Sequence, residues 1–170
     1  YKDINRNDDI EYEMYMKICN GLENYKHYEI SNFAKDNFES IHNKIYWKDE
    51  QYYGFGLSSS GYLNQMRYTN EFFYPDYKNK ILQNEKPISF SEKIDLEKRE
   101  FEFIITNMRL KDGLDLKEYF EKFGINLYTN NKKLIDNWIN KELLTLNNNH
   151  ISFTNQGFFV SNSFFVDILV

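Results

Sequence analysis

Cysteine is almost missing from this chain: Cys19 is the only one in 170 residues. A single thiol forms no internal disulfide and cannot by itself hold a zinc or iron–sulfur centre. A reducing compartment, the cytosol, is the expectation. Proline is nearly as scarce, with Pro75 and Pro87 alone, both in one stretch. No apolar run approaches the roughly 20 residues of a membrane-spanning helix, and no signal-peptide pattern opens the chain. Positive charge is also in deficit, at a net −5. A phosphate-binding surface needs clustered Lys and Arg, so a nucleic-acid partner is not expected. What the chain has in excess is aromatic side chains, 18% of all residues. Its core should be built largely of Phe and Tyr. It begins at Tyr1, not Met, in a charged, Asn-rich stretch without a start signal. It therefore reads as a piece of a longer protein.

The hydrophobic pattern divides the chain after Pro87 into residues 1–87 and 88–170. In the first part, Ile10, Met14 and Ile18 recur at helical spacing and predict an inner face over residues 8–20. Residues 26–34 read as a strand, giving the helix–strand succession of an α/β sheet. Residues 38–50 lack a clean period and predict a structured loop with a short strand at Lys44–Trp47. Gln51–Leu57 reads as a strand and Tyr62–Tyr68 as a strand or hairpin. Residues 70–87 read as a surface connection.

In the second part, Ser89-Phe90-Ser91-Glu92 fits a capping box ahead of a helix to about Arg109, with Phe101, Ile104, Ile105 and Met108 inside. Asp115 and Glu118 open a second helix that Gly124 ends. Leu134, Ile135, Trp138 and Ile139 mark a third. A hairpin joins Leu143–Leu146 to Ile151–Phe153, and a final helix ends near Leu169. This order is winged-helix-like. A DNA reader would want a basic third helix, but Lys132, Lys133 and Lys141 there are offset by Asp136 and Glu142. An interaction module remains the alternative function for this half.

The chemistry-bearing residues concentrate between Tyr28 and Tyr62. His42 carries an imidazole that can ligate iron, and Tyr46 and Trp47 offer flat apolar faces. A packed, hydrogen-bonded histidine is the plainer reading of the same residues. Gly54 and Gly56, two apart in a strand, would leave a trough for a ligand or a neighbouring backbone. A lone Gly-x-Gly lacks the rest of a dinucleotide fingerprint, and a bend at a strand end is the equal alternative. Glu29, in a polar strand, could orient a ligand; the plainer reading is a carboxylate bonded to neighbouring backbone or paired with an Arg such as Arg67. His27 and His150 read as surface residues.

Several of these segments, taken in order, resemble a known family. Tyr28-Glu29-Ile30-Ser31-Asn32-Phe33-Ala34-Lys35 matches a YEISNFAK strand. His42-Asn43-x-x-Tyr46-Trp47 matches HNxxYW. Tyr53-Gly54-Phe55-Gly56 with Ser58 matches a glycine turn, Arg67-Tyr68-x-Asn70 an RYxN step, and Arg109-Leu110-x-x-Gly113 an LRLxxG segment. Thr154, Gly157 and Asn162 match an LTxxGxxxxN end. Together these resemble the radical-SAM family of HemN-type coproporphyrinogen dehydrogenases and HemW-type haem chaperones, with HNxxYW marking the HemW branch.

The resemblance implies an α/β first part, the C-terminal portion of an incomplete radical-SAM barrel, followed by a mostly helical C-terminal domain. It implies a 4Fe–4S cluster and S-adenosylmethionine in the whole protein. The cluster-binding CxxxCxxC loop has no counterpart here, so this chain is not expected to do radical chemistry by itself. It implies haem or a porphyrin as ligand, His42 as candidate iron ligand, and Asn43, Tyr46 and Trp47 beside it. Gly54, Gly56 and Ser60 fall on the S-adenosylmethionine side, Ser60 through its backbone. A haem-accepting protein is the implied partner, and oxidative decarboxylation of coproporphyrinogen III is the alternative activity. The sequence departs from the family in placing Leu57, Ser59 and Ser60 where Pro, Ala and His are usual, and Asp36-Asn37 where Pro-Gly is usual.

Overall fold

The computed structural model describes residues 8–168. The charged opening and the expected helix end near Leu169 lie outside the described residues. In chain order the elements are α1 (Asp8–Gly21), β1 (Lys26–Glu29), β2 (Asn32–Ala34), α2 (Ile41–Trp47), β3 (Ser60–Leu63), β4 (Met66–Asn70), α3 (Tyr74–Leu82), β5 (Ile88–Lys93) and α4 (Leu96–Asn107). Then come β6 (Leu114–Asp115), α5 (Leu116–Phe123), α6 (Leu127–Asn130), α7 (Lys132–Asn140), β7 (Leu144–Asn147), β8 (His150–Phe153), α8 (Asn155–Phe159) and α9 (Ser161–Ile168). Helix and sheet are mixed, and the described strands form one two-stranded and two three-stranded sheets, with no closed barrel. Among the described residues no helix is long and apolar enough to cross a membrane. The chain divides into two compact units: one takes in the chain up to Ser40 and again from Ile104, and the other is Ile41–Phe103.

In the first unit the expected succession of helices, hairpin and closing helix forms, with two departures: a short helix α6 precedes α7, and the closing helix is split at Val160 into α8 and α9. β6, β8 and β7 pair antiparallel in that order. Local signals set the boundaries. The Asp115 carboxylate accepts from the N–H groups of Lys117 and Glu118, and Gly124 closes α5 at φ 70°. Phe153 centres the core. Its ring meets Phe158, Phe164, Phe165 and Trp138 at centroid distances of 5.6, 5.4, 5.8 and 6.2 Å, mostly edge-on. Edge contacts suit the ring quadrupoles, so the aromatic surplus becomes packing energy.

Two expectations for this unit change. α1 forms where predicted, but Ile10, Met14 and Ile18 are 54%, 59% and 50% exposed. Its opposite face turns inward, with Tyr12 and Tyr15 packing on Phe159 at 5.3 and 6.2 Å. Apolar spacing marks a face, but the aromatic surface available to it decides which face is covered. Residues 26–34 are not one strand but a β1–β2 hairpin, Lys26 opposite Ala34. The Glu29 carboxylate, almost wholly buried, accepts from the Ser31 N–H at 3.1 Å and holds the reversal. A polar side chain that serves its own backbone favours a turn over a continuing strand.

In the second unit, β3, β4 and β5 form an antiparallel meander. Here sequence patterns misled more often. The expected loop with a strand at Lys44–Trp47 is α2; seven residues are too few to display a 3.6-residue period. Gln51–Leu57 pairs only at Tyr52, opposite Tyr62, because Gly56 at φ 96° and Ser58 at φ 57° break the extended path. The expected connection over 70–87 contains α3, where Pro75 opens the helix and does not mark a loop. The apparent capping box at Ser89–Glu92 is strand β5. The cap of α4 is Asp95, whose carboxylate accepts from the Lys98 N–H at 2.8 Å. The predicted inner stripe of α4 holds at Ile104 and Met108 but misses Phe103, which is fully buried.

Candidate functional site

α2 decides how the HNxxYW residues are presented. One helical turn apart, His42 and Tyr46 fall on the same face. The imidazole Nε2 lies 3.3 Å from the Tyr46 hydroxyl, and the two rings meet edge-on at 4.8 Å. Tyr46 in turn packs against Tyr52 at 4.4 Å. His42 is exposed, whereas Asn43 and Trp47 are half-buried. The imidazole is therefore neither sealed in a core nor loose: a tyrosine hydroxyl orients it, and a second tyrosine backs the first. Burial raises the Tyr52 phenol above its ordinary value, with Tyr46 beside it adding to the effect. The Tyr52 hydroxyl stays a neutral hydrogen-bonding group at physiological pH.

The glycine turn is organised by a residue given no role in the sequence reading. Asn70, 3% exposed, directs its amide nitrogen at the carbonyls of Gly54 and Gly56 and at Ser59 Oγ, at 3.2, 3.1 and 3.0 Å. Ser59 Oγ donates onward to the Gly56 carbonyl at 2.8 Å, and the Gly54 N–H donates to the Tyr68 hydroxyl at 3.0 Å. An amide that bridges several carbonyls fixes a turn as a ladder fixes a strand. The Arg67-Tyr68-x-Asn70 step carried this signal, since a buried Asn ending a strand must find acceptors.

Both glycines are required by the chain itself. A Cβ on Gly54 would lie 2.3 Å from the Ser60 carbonyl oxygen, and Gly56 has a left-handed φ with open space around it. The pair therefore does not form the two-glycine face of a strand. Ser60 begins β3, and its hydroxyl meets Thr69 Oγ1 at 3.1 Å.

A cleft of about 560 Å³ opens beside this turn within the second unit. Its walls are mainly apolar and aromatic, including Tyr53, Phe55, Met66, Tyr68 and Tyr77, and Lys86 is its charged lining residue. Among the expected binding residues Gly54 lines it; His42, Asn43, Tyr46, Trp47, Gly56 and Ser60 do not. The structure thus gathers the expected residues into two places, the exposed α2 face and the glycine turn. Arg67 does not pair with Glu29. It bonds Glu102 at 2.6 Å with Glu92 at 3.6 Å, and the Glu102 hydrogen bond pushes the guanidinium further up.

His27, read as a surface residue, is half-buried. It stacks on Phe33 at 4.2 Å, and burial pushes its pKa down. His150 keeps its exposed wing-tip position, 3.8 Å from Asp115.

The donor set does not fit an iron–sulfur cluster. Cys19 is the one thiol of the chain, and among the described residues no group of three His, Cys, Asp or Glu side chains could hold a metal.

Residues 94–160 match the model of the HemN C-terminal domain. The chain is 35% identical over 166 residues to a protein of Lactococcus lactis named Heme chaperone HemW, covering 96% of this chain and 42% of that one. A protein of the same name from Bacillus subtilis is 31% identical over 157 residues, covering 91% of this chain and 41% of the relative. The chain therefore spans less than half the length of these relatives. In three dimensions it is similar to the Escherichia coli coproporphyrinogen III oxidase HemN, a radical SAM enzyme. The TM-score is 0.66 at 13% identity, over 94% of this chain and 40% of that one. At that identity the likeness concerns the fold.

Proposed function

The chain carries a HemN C-terminal domain and, over nearly its whole length, corresponds to the C-terminal portion of HemN/HemW-type proteins; on that premise we propose that it serves a HemW-like protein in binding haem and handing it on. The observation that carries this reading is the exposed His42 imidazole, steadied by Tyr46 at 3.3 Å on a helix bearing the HNxxYW residues. A neutral imidazole is a good iron ligand, and a hydrogen bond to its other nitrogen orients it and raises its basicity. In the tautomer whose Nε2–H donates to the Tyr46 hydroxyl, the Nδ1 lone pair would be the one offered to iron. Tyr46, Asn43 and Trp47 flank that position along the helix. An exposed ligand suits a protein that must release its cargo, where a buried pocket would retain it.

The glycine turn at Gly54, Gly56 and Ser60 is the segment assigned to S-adenosylmethionine in the whole protein, where that molecule with a cluster would supply radical chemistry. The cluster's thiolates would come from outside this chain. Residues 88–170 are assigned to holding a partner, a haem-accepting protein.

The test is a haem titration followed at the Soret band, with His42→Ala beside the unaltered protein. The substitution is expected to shift the band and weaken binding, and an unchanged spectrum removes His42 from the site. Oxidative decarboxylation of coproporphyrinogen III, the alternative activity that the family resemblance implies, is separated by assaying the whole reconstituted protein. A haem carrier shows no decarboxylated product.

A further inference from the structure

A second cleft, of about 490 Å³, lies wholly within the first unit and is lined almost entirely by polar residues, among them Lys111, Glu142, Ser152, Asn155 and Gln156. We propose that it is a binding site for a small oxyanion, a carboxylate or phosphate group held on the Lys111 ammonium. The proposal does not depend on the haem reading, because none of its residues belongs to α2 or the glycine turn.

Lys111 is half-buried, and its Nζ donates to the neutral Asn155 Oδ1 at 2.6 Å and sits 5.3 Å from the Phe158 ring centre. No carboxylate pairs with it among the described residues, although Glu142 lines the same cleft. Burying a cation without a counter-ion is costly, and folded proteins normally neutralise such a group. Its titration reflects that cost, since burial pushes Lys111 below its ordinary value.

The ammonium has three donor hydrogens, and the Asn155 bond occupies one. Other polar groups face the same space. Thr145 and Ser152 share a hydroxyl contact at 2.9 Å, and the Thr145 hydroxyl also reaches the Ser152 carbonyl at 3.5 Å, so this pair is committed to itself. The Gln156 amide, by contrast, is exposed. Thr154 is excluded, because its hydroxyl is committed to the Glu142 carbonyl at 2.8 Å. A cation with two donor hydrogens to spare and an exposed amide on the same cleft wall is a donor set for an oxyanion. Glu142 would disfavour a second negative charge, so the site suits a singly charged group best.

The test is a titration with sodium propionate and, separately, inorganic phosphate, at constant ionic strength set by chloride. Amide chemical shifts of Lys111, Ser152, Asn155 and Gln156 are followed. Saturable shifts confined to these residues are expected, with Lys111→Met weakening binding by about tenfold or more. Lys111→Arg, which keeps the charge, should retain it, and Glu142→Gln should strengthen it. The propionate and phosphate arms decide which oxyanion is preferred. The Lys111 titration should also move up when the site is filled. Shifts no larger than those from chloride, or shifts that survive Lys111→Met, overturn the proposal. Should Lys111→Met fail to fold, an unmoved Lys111 titration in the unaltered protein overturns it equally.

Discussion

The two units are held together by different physics. The unit with the wing is an aromatic core: Phe153 touches a ring of aromatic neighbours, and Tyr119, Leu114 and Ile135 are completely buried. The unit from Ile41 to Phe103 relies on polar clamps, with Asn70 on the glycine turn and Arg67 on Glu102. It leaves Tyr53, Phe55, Phe72 and Phe73 between 63% and 84% exposed. A core of rings tolerates neither water nor rearrangement. Polar clamps fix a few backbone points and leave aromatic surface available. The expected ligand residues all fall in the clamped unit. Unspent apolar surface beside precisely held backbone is what a binding region needs.

This contrast can be broken by substitution. Phe153→Ala should have the largest effect, about 3–5 kcal/mol in chemical denaturation, because it removes the ring that the others pack upon. Asn70→Ala should cost about 1–3 kcal/mol, since it removes the amide donor from the Gly54 carbonyl and leaves the Gly56 carbonyl with Ser59 Oγ alone. Its effect should concentrate in hydrogen exchange around residues 54–60. A loss at Asn70 equal to that at Phe153 and spread evenly over the chain would erase the distinction.

The smallest expected effect is a pH slope. His27 is held below its ordinary 6.5 by burial, so the folded state binds its proton less readily than the unfolded one. Stability should therefore fall as pH drops below about 6.5, and level off once the folded form also titrates. His27→Phe should flatten that limb relative to the unaltered protein. An unchanged slope would place the titration elsewhere.

The sequence was most readable where local signals were strong. The Asp115 cap, the Gly124 stop and the hairpin at Asn147–Asn149 all lie where residue chemistry alone put them. It was least readable where an element was short or where a side chain had two uses. α2 is too brief to show its period, so a helix looked like a loop. Ser89–Glu92 has the spacing of a capping box and the alternation of a strand, and pairing with β4 decided between them. For α1, spacing identified a helix but not the face that Phe159 covers. At the candidate site, motif order located His42 and the glycine turn. That Tyr46 steadies His42, and Asn70 the turn, depends on contacts across space.

Replacing His42 by Gly and restoring imidazole in solution tests the central claim most directly. Haem bound to the unaltered protein should give a Soret band that His42→Gly displaces and that added imidazole returns to its original position. A band that stays unmoved in His42→Gly, or that imidazole alters equally in both proteins, would contradict the account.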